Sequence, residues 1–373
     1  MGGKQLPFKL TEPDASFITN LVVGILPAKL AGGAMISDAK LSVGCGPYVL
    51  SNFGMTSIDL SRNANYSLGA VAKSDIQIKI VREETTRFAK LQSGELDLVQ
   101  RNLNRDELEK IATKFPQLKV ERRPSLSTTY LGFNFKDPIL AKKEVRQAIN
   151  LAVERQPIID YILRGFATPA TTMLTPGNPF LDKSLKNPKS DLAAAMKLLD
   201  DAGFKDPDGK GPKMRMTLSY KTTTDVTRVS IAKAIASQLK KIGIDVQVQS
   251  LEWGRFKADV EAGTVQIWSL SWIGFKDPDI YRYAFATDNF PPNGANRGRY
   301  SNPELDKVLQ AARIATAEKK RRELYLQVEK MVAAEVPYVF LWHEENFAVL
   351  NKRLKNFTLY ADGRLTSLSK ASK

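Results

Sequence analysis

The residues best placed to do chemistry lie in one short run, SLSWIGFKDPDIY, Ser269 to Tyr281, where an indole, a glycine, a phenyl ring and two carboxylates stand together. Carboxylates brought close serve as acid and base, whereas aromatic rings without such partners grip a guest by stacking. Asp277-Pro278-Asp279 also has a structural reading. An aspartate as N-cap, a proline at the first helical position and an acid in the first turn describe a helix start with no further purpose. Elsewhere the inventory is thin. One cysteine, Cys45, and one histidine, His343, cannot make a disulfide or a Cys/His zinc site, which needs at least three protein ligands. A Cys45–His343 dyad would need a long-range coincidence, and His343 in PYVFLWHEENFAVL reads as a packed strand residue. DPDGKG at Asp206 to Gly211 resembles a calcium loop, but its register puts Lys210 at a ligand position and Thr217 where the bidentate glutamate belongs, so it reads as a turn. Glu344 and Glu345 are adjacent, and on a strand they point to opposite faces. No phosphate loop, dinucleotide fingerprint or nucleophile elbow occurs. The expectation is no catalytic residue, no metal and no cofactor. A hydrolase built on scattered carboxylates has no motif behind it.

What positions Trp272 is an alternation that begins at Met214. MRMTLSY alternates as a strand, TRVSIAKAIASQLKKIG is an amphipathic helix stopped at Gly243, and IDVQVQSL alternates again. WGRFKADVEAG is a second helix and TVQIWSLSW a third strand. Strand, helix, strand, helix, strand implies an α/β unit with parallel pairing through crossovers. Ligands in open α/β sheets sit outside the carboxyl ends of strands, and Ser271, Trp272, Gly274 and Phe275 lie where the third strand ends. Upstream, Val145, Ala148, Ile149, Ala152 and Val153 follow the spacing of one buried helix face, and Pro157 opens a second helix. Leu192, Ala195, Met196 and Leu199 repeat the pattern before Gly203. From Tyr48 to about Asn134, short strands such as IQIKIV surround one helix that Gly94 ends. Downstream, a polar loop, FPPNGANRGRYSNPE, precedes two helices, around Leu305 to Ile314 and Arg322 to Ala333. Two short strands, YVFLW and NFAVL, follow.

At 373 residues the chain exceeds what one core supports, which implies two lobes. Lysine and arginine number 55 against 40 acids, a formal charge of +15. The basic residues are interleaved with acids, and the densest runs, 319–322 and 352–355, carry no aromatic platform for stacking bases, so a solvated basic surface is expected and nucleic acid is not. No run of eighteen apolar residues exists to span a membrane. MGGKQLPFKLTEPD lacks the layout of a secretory signal, and LSVGC before Gly46 is a poor lipoprotein site because Asp38 and Lys40 interrupt the run ahead of it. The chain therefore either stays in the cytoplasm as written or begins after its targeting segment.

Nine segments carry a resemblance to a family: GCGPYVL (44–50), RNANY (62–66), LQSGELDLV (91–99), YLGFNF (130–135), VRQAINLAVERQPII (145–159), FATPA (166–170), LLDDAGF (198–204), WIGFKDPD (272–279) and YSNPELDKVLQAAR (300–313). Each alone is weak, but in this order they resemble extracellular solute-binding proteins of the oligopeptide and dipeptide type, the receptors of ABC importers. The resemblance implies an α/β, two-lobed periplasmic-binding-protein-like fold (type II, cluster C), truncated at its N-terminus. Residues 1–35 would be the remnant of an accessory subdomain, 36–137 plus 343–373 the first lobe and 138–342 the second. The lobes would close about a small peptide or similar solute, as a periplasmic monomer read by a membrane permease. Trp272 would line the pocket, and Tyr130, Gln100 and Arg101 would face it, with Arg101 able to pair a ligand carboxylate through its fork. Some members pair the ligand's free amine with an aspartate three residues after the tryptophan. Here that residue is Phe275, so either another acid serves or the ligand has no free amine there. A truncated, non-transporting interaction module of the same fold is the alternative.

Overall fold

A computed structural model describes residues 6–22, 44–69, 71, 75–101, 103–209 and 211–373. Most of the expected remnant at 1–35 therefore lies outside the described residues, as does Lys210. By its internal contacts the chain divides into two units, one of residues 1–20 and 126–344, the other of 21–125 and 345–373. The divisions fall at Ser125/Leu126 and Glu344/Glu345, whereas the sequence places its lobe boundaries at 137/138 and 342/343.

The smaller unit opens with β1 (Tyr48–Phe53), β2 (Ser57–Arg62) and β3 (Ile76–Lys79), an antiparallel meander with Tyr48 opposite Arg62 and Ser57 opposite Lys79. Helix α1 (Glu84–Ser93) stops where expected. Gly94 takes φ 78°, a left-handed conformation that costs a residue without Cβ little, and its N–H closes on Leu91 O. Strand β4 (Leu98–Gln100), helix α2 (Arg105–Lys114) and the first part of β5 (Leu118–Phe133) complete this stretch.

The larger unit carries α3 (Lys143–Ala152), α4 (Arg155–Tyr161), β6 (Ala167–Pro169), α5 (Leu192–Asp201), β7 (Met216–Thr223), α6 (Val226–Lys240), β8 (Ile244–Leu251), α7 (Trp253–Ala262), β9 (Ile267–Ile273), α8 (Ile280–Phe285), α9 (Pro303–Ile314) and α10 (Glu318–Glu335). Its last element is the first part of β10 (Tyr338–Asn351). The α/β unit read from Met214 onward forms as expected, with β8 and β9 both parallel to β7. β9 then pairs antiparallel with β5, Trp272 opposite Thr128 and Trp268 opposite Gly132, so the sheet is mixed.

Side-chain alternation puts a core on each face of this sheet. Leu131, Phe133, Val339 and Leu341 join one core with the apolar faces of α3, α5 and α6; Tyr130, Tyr338 and Phe340 join the other with α8, α9 and α10. Val145, Ala148, Ile149, Ala152 and Val153 are all buried, as their spacing requires.

Two expectations need correction. Helix α4 begins at Arg155, so Pro157 is its third residue; its missing N–H still falls in the first turn, where no intrahelical acceptor exists. YVFLW and NFAVL are one strand of 14 residues. The polar stretch between them does not break the ladder because each side chain has a partner: His343 with Thr128, Glu344 with Thr129, Glu345 with Arg122, and Asn346 with Arg101.

Candidate functional site

Within the larger unit a pocket of about 130 Å³ opens beside the carboxyl ends of β8 and β9. It is lined by Trp253, Phe256, Lys257 and Val260 from α7, Leu270, Ser271 and Trp272 from β9, and Arg297 from the loop before α9. Its position follows the rule that placed Trp272 at a strand end. Gly274 explains why the strand stops there: with φ 76° it turns the chain away, while its N–H still bonds Leu126 O at 2.7 Å.

Trp272 is partly buried, its ring near-parallel to Tyr130 with centroids 6.2 Å apart and edge-on to Tyr283 at 5.8 Å. The guanidinium of Arg297 lies 5.3 Å from the centroid of its ring. This is a cation–π contact, favourable because the face of an indole is electron-rich. Tyr130 in turn stacks on Tyr338 at 3.9 Å. Trp268, on the same face of β9, is sealed: it packs over Gly132, where a Cβ would come within 2.6 Å of the indole. One strand thus offers a closed indole and an open one.

Burial pushes the hydroxyl of Tyr130 upward in pKa, with the Arg297 charge opposing, and pushes Tyr338 well above its ordinary value. The two hydroxyls and the indole nitrogens of Trp268 and Trp272 are buried close to one another. Beside them Ser271 Oγ lies 2.7 Å from Thr129 Oγ1, which donates to Glu344 Oε1 at 2.9 Å. Because the threonine proton goes to the carboxylate, Ser271 donates to Thr129 and keeps its lone pairs. Glu344 therefore stands two hydrogen bonds behind the pocket wall, and no acid lines the pocket itself.

The loop that carries Arg297 is fixed on both sides. The buried Asn296 donates to Ala286 O and Tyr300 O and accepts from Tyr300 N–H. Gly298 accepts from Phe135 N–H at 2.8 Å and approaches Phe133 O so closely that a Cβ there would sit 2.6 Å away. Arg299 donates to Glu261 O at the end of α7. Arg297 makes no ion pair among the described residues, although it lies between these anchors.

Of the residues expected from sequence, Ser271 and Trp272 line the pocket. Tyr130 backs Trp272 from the core, Gly274 shapes the turn, and Phe275 packs against the aromatic core instead of lining the pocket. Gln100 and Arg101 belong to the smaller unit. There Gln100 Nε2 donates to Gly363 O at 2.8 Å, and the exposed Arg101 donates to Asn346 Oδ1. Asp277 and Asp279 stand at a helix start but in a shifted register, for α8 begins at Ile280 with Asp279 as its N-cap, Pro278 ahead of it and no acid in its first turn, and Asp277 has a partner that the spacing could not show. Asp277 accepts from Asp279 N–H and forms a two-pronged ion pair with Arg321, at 2.9 and 2.7 Å. His343 is buried beside Thr128 Oγ1, and desolvation lowers its pKa to about 4. Trp253, Lys257 and Arg297 were not anticipated. Trp253 follows the end of β8, so the strand-end rule could have found it, but nothing in NGANRGR distinguishes Arg297 from any solvated arginine.

An α/β fold with an aromatic pocket at strand ends is an arrangement that suits the binding of a solute. Residues 2–292 match the model of the bacterial extracellular solute-binding proteins, family 5, and the chain belongs to that family. It is 28% identical to the oligopeptide-binding protein AppA of Bacillus subtilis, over 99% of this chain and 70% of that protein. It is 29% identical to protein XP55 of Streptomyces lividans, over 98% of this chain and 68% of that one. The structure of AppA from Bacillus subtilis in complex with a nonapeptide superposes with a TM-score of 0.80 and 26% identity, covering 98% of this chain and 75% of that one. No helix among the described residues is long and apolar enough to cross a membrane.

Proposed function

We propose that this solute-binding protein is the extracellular receptor of an ABC importer and takes a small peptide or similar polar solute. Trp272 supplies the stacking surface, and Ser271 an acceptor beside it. Lobes of residues 36–137 plus 343–373 and 138–342 close on the guest, and a membrane permease reads the closed monomer. Tyr130, Gly274 and Phe275 serve by shaping the wall around Trp272. Gln100 and Arg101 hold a lesser place, because hydrogen bonds within their own unit already occupy them.

The observation that carries this reading is the partly open indole of Trp272 with the guanidinium of Arg297 over its ring, both lining the pocket. A ring and cation left available at strand ends suit a guest with both apolar and charged parts. The peptide-binding relative described above supports the choice of solute. The test is thermal unfolding of the protein with a panel of di- to pentapeptides and small polar solutes. A binder at a hundredfold excess over Kd stabilises by about 2.7 kcal/mol, which moves the melting temperature by several degrees. Unchanged melting across the whole panel would contradict the proposal.

A further inference from the structure

The basic run at 352–355 reads from composition as a solvated face, but the structure sorts its members. Arg353 turns back on its own unit, donating to Asp97 Oδ1 at 2.9 Å and to Gly94 O at 2.5 Å. Lys352 and Lys355 instead line a pocket of about 310 Å³ that lies wholly in the smaller unit. Lys119 lines it as well, its ammonium 2.7 Å from Glu121 Oε1, whereas the ammoniums of Lys352 and Lys355 make no ion pair among the described residues. The floor is apolar. Leu350 is buried there, with Leu354 and Phe357 packed half-buried in the same cluster.

The backbone that presents these groups is tied down. Lys352 N–H donates to Gln117 O at 2.8 Å, Leu354 N–H to Asn351 O at 2.9 Å and Lys355 N–H to Ser372 O at 2.7 Å, and Asn356 at φ 60° then turns the chain so that Phe357 returns to the pocket. Three ammoniums against one carboxylate leave an excess of two positive charges at pH 7. Like charges collected over an apolar floor repel more strongly than in open water, because the low-dielectric wall screens them less, and an anion of matching charge relieves that repulsion. The type of cation narrows the anion. Lysine is a compact point charge suited to phosphate, whereas the planar, two-pronged match to a carboxylate is arginine's, and the one arginine of the run is turned away.

We propose that this pocket of the smaller unit binds a phosphate monoester that carries an apolar group. Such a phosphate bears about −1.5 to −2 charge at pH 7, which matches the excess, and it offers three acceptor oxygens to the three ammoniums. Lys352 and Lys355 hold the phosphate, Lys119 completes the ring while neutralising Glu121, and the apolar group lies on Leu350, Leu354 and Phe357. At about 310 Å³ the pocket stands at the lower end of small-molecule sites, about 300–1,000 Å³. It is distinct from the strand-end pocket, which belongs to the larger unit and is built on an indole. The ligand is either a phosphorylated molecule free in solution or the head of a lipid, since the same chemistry serves both.

The test is isothermal titration of the full chain with octyl phosphate, inorganic phosphate and octanoate, all below micelle formation, beside sedimentation with phosphatidylcholine vesicles with and without phosphatidic acid. Wild type should bind octyl phosphate, and should bind inorganic phosphate and octanoate each roughly tenfold more weakly, for want of apolar burial in the one and of the second charge in the other. The double variant Lys352→Gln/Lys355→Gln should lose octyl phosphate affinity roughly tenfold to hundredfold, while Lys370→Gln, at an exposed lysine outside the pocket, should keep it. Sedimentation with phosphatidic acid vesicles that the double variant loses would support the proposal with a lipid source; octyl phosphate binding without it would support a soluble one. No binding of octyl phosphate, equal binding of inorganic phosphate or octanoate, or unchanged affinity in the double variant overturns the proposal. The comparison of the three ligands on wild type needs no variant, so a misfolded protein cannot obscure the result. None of these outcomes touches the receptor reading.

Discussion

Two arginines, one in each unit, are set among polar and aromatic neighbours, and they differ in what the protein does with them. Arg101 follows β4 with φ 64°, its N–H bonded to Phe347 O and its guanidinium donating to the side chain of Asn346. Asn346 is fully buried and donates in turn to Tyr360 O and Ala361 O, while Gln100 donates to Gly363 O. That group ties the turn at 360–363 to the sheet, and its hydrogen bonds run inward. Arg297 has a loop just as firmly fixed but no ion pair, with its charge over a ring that is partly open. The lesson is that an arginine's sequence surroundings do not reveal whether its donors are consumed by the fold or kept for a guest; the count of satisfied partners does.

The largest effect that would sharpen this contrast lies in the inward group. Asn346→Ala removes two bonds to backbone carbonyls and one from Arg101 in a fully buried place, and should cost about 3 kcal/mol of stability. Denaturant unfolding measures it, with solute affinity of the folded variant unchanged. A cost under about 0.5 kcal/mol would mean that the group does not hold the tail. Arg101→Ala should act in the same direction but more weakly, about 1 kcal/mol, since the side chain is exposed and Asn346 keeps its other bonds. Its solute affinity should match wild type. A tenfold loss of affinity would break the comparison, because Arg101 would then be a ligand group as its sequence position suggested.

Much of the fold was legible because it rests on periodicity. The buried face of α3, the strand–helix alternation from Met214 and the glycine stop at Gly94 depend on local pattern, and the structure has them. The break expected inside β10 fell at the polar HEEN between two apolar runs, where each side chain in fact meets a partner far away in sequence. The same limit applied to the site. Trp272 was reachable because a strand end is a local feature, and so was the helix start near Asp277, although its register and the pairing of Asp277 with Arg321 were not. Arg297 was invisible because its meaning comes from Asn296, Gly298 and Trp272 acting together, and only the last of these sits in a recognisable element.

The account turns on the open indole of β9, and calorimetric titration of Trp272→Ala beside wild type, with whichever solute stabilises the protein, tests it most directly. Loss of a stacking partner worth about 1–2 kcal/mol should weaken binding by roughly tenfold, while the melting temperature falls by no more than a few degrees because the ring is only partly buried. Wild-type affinity in that variant, or a collapse of melting temperature as large as the loss of binding, would make Trp272 part of the core and leave the proposed site without its central group.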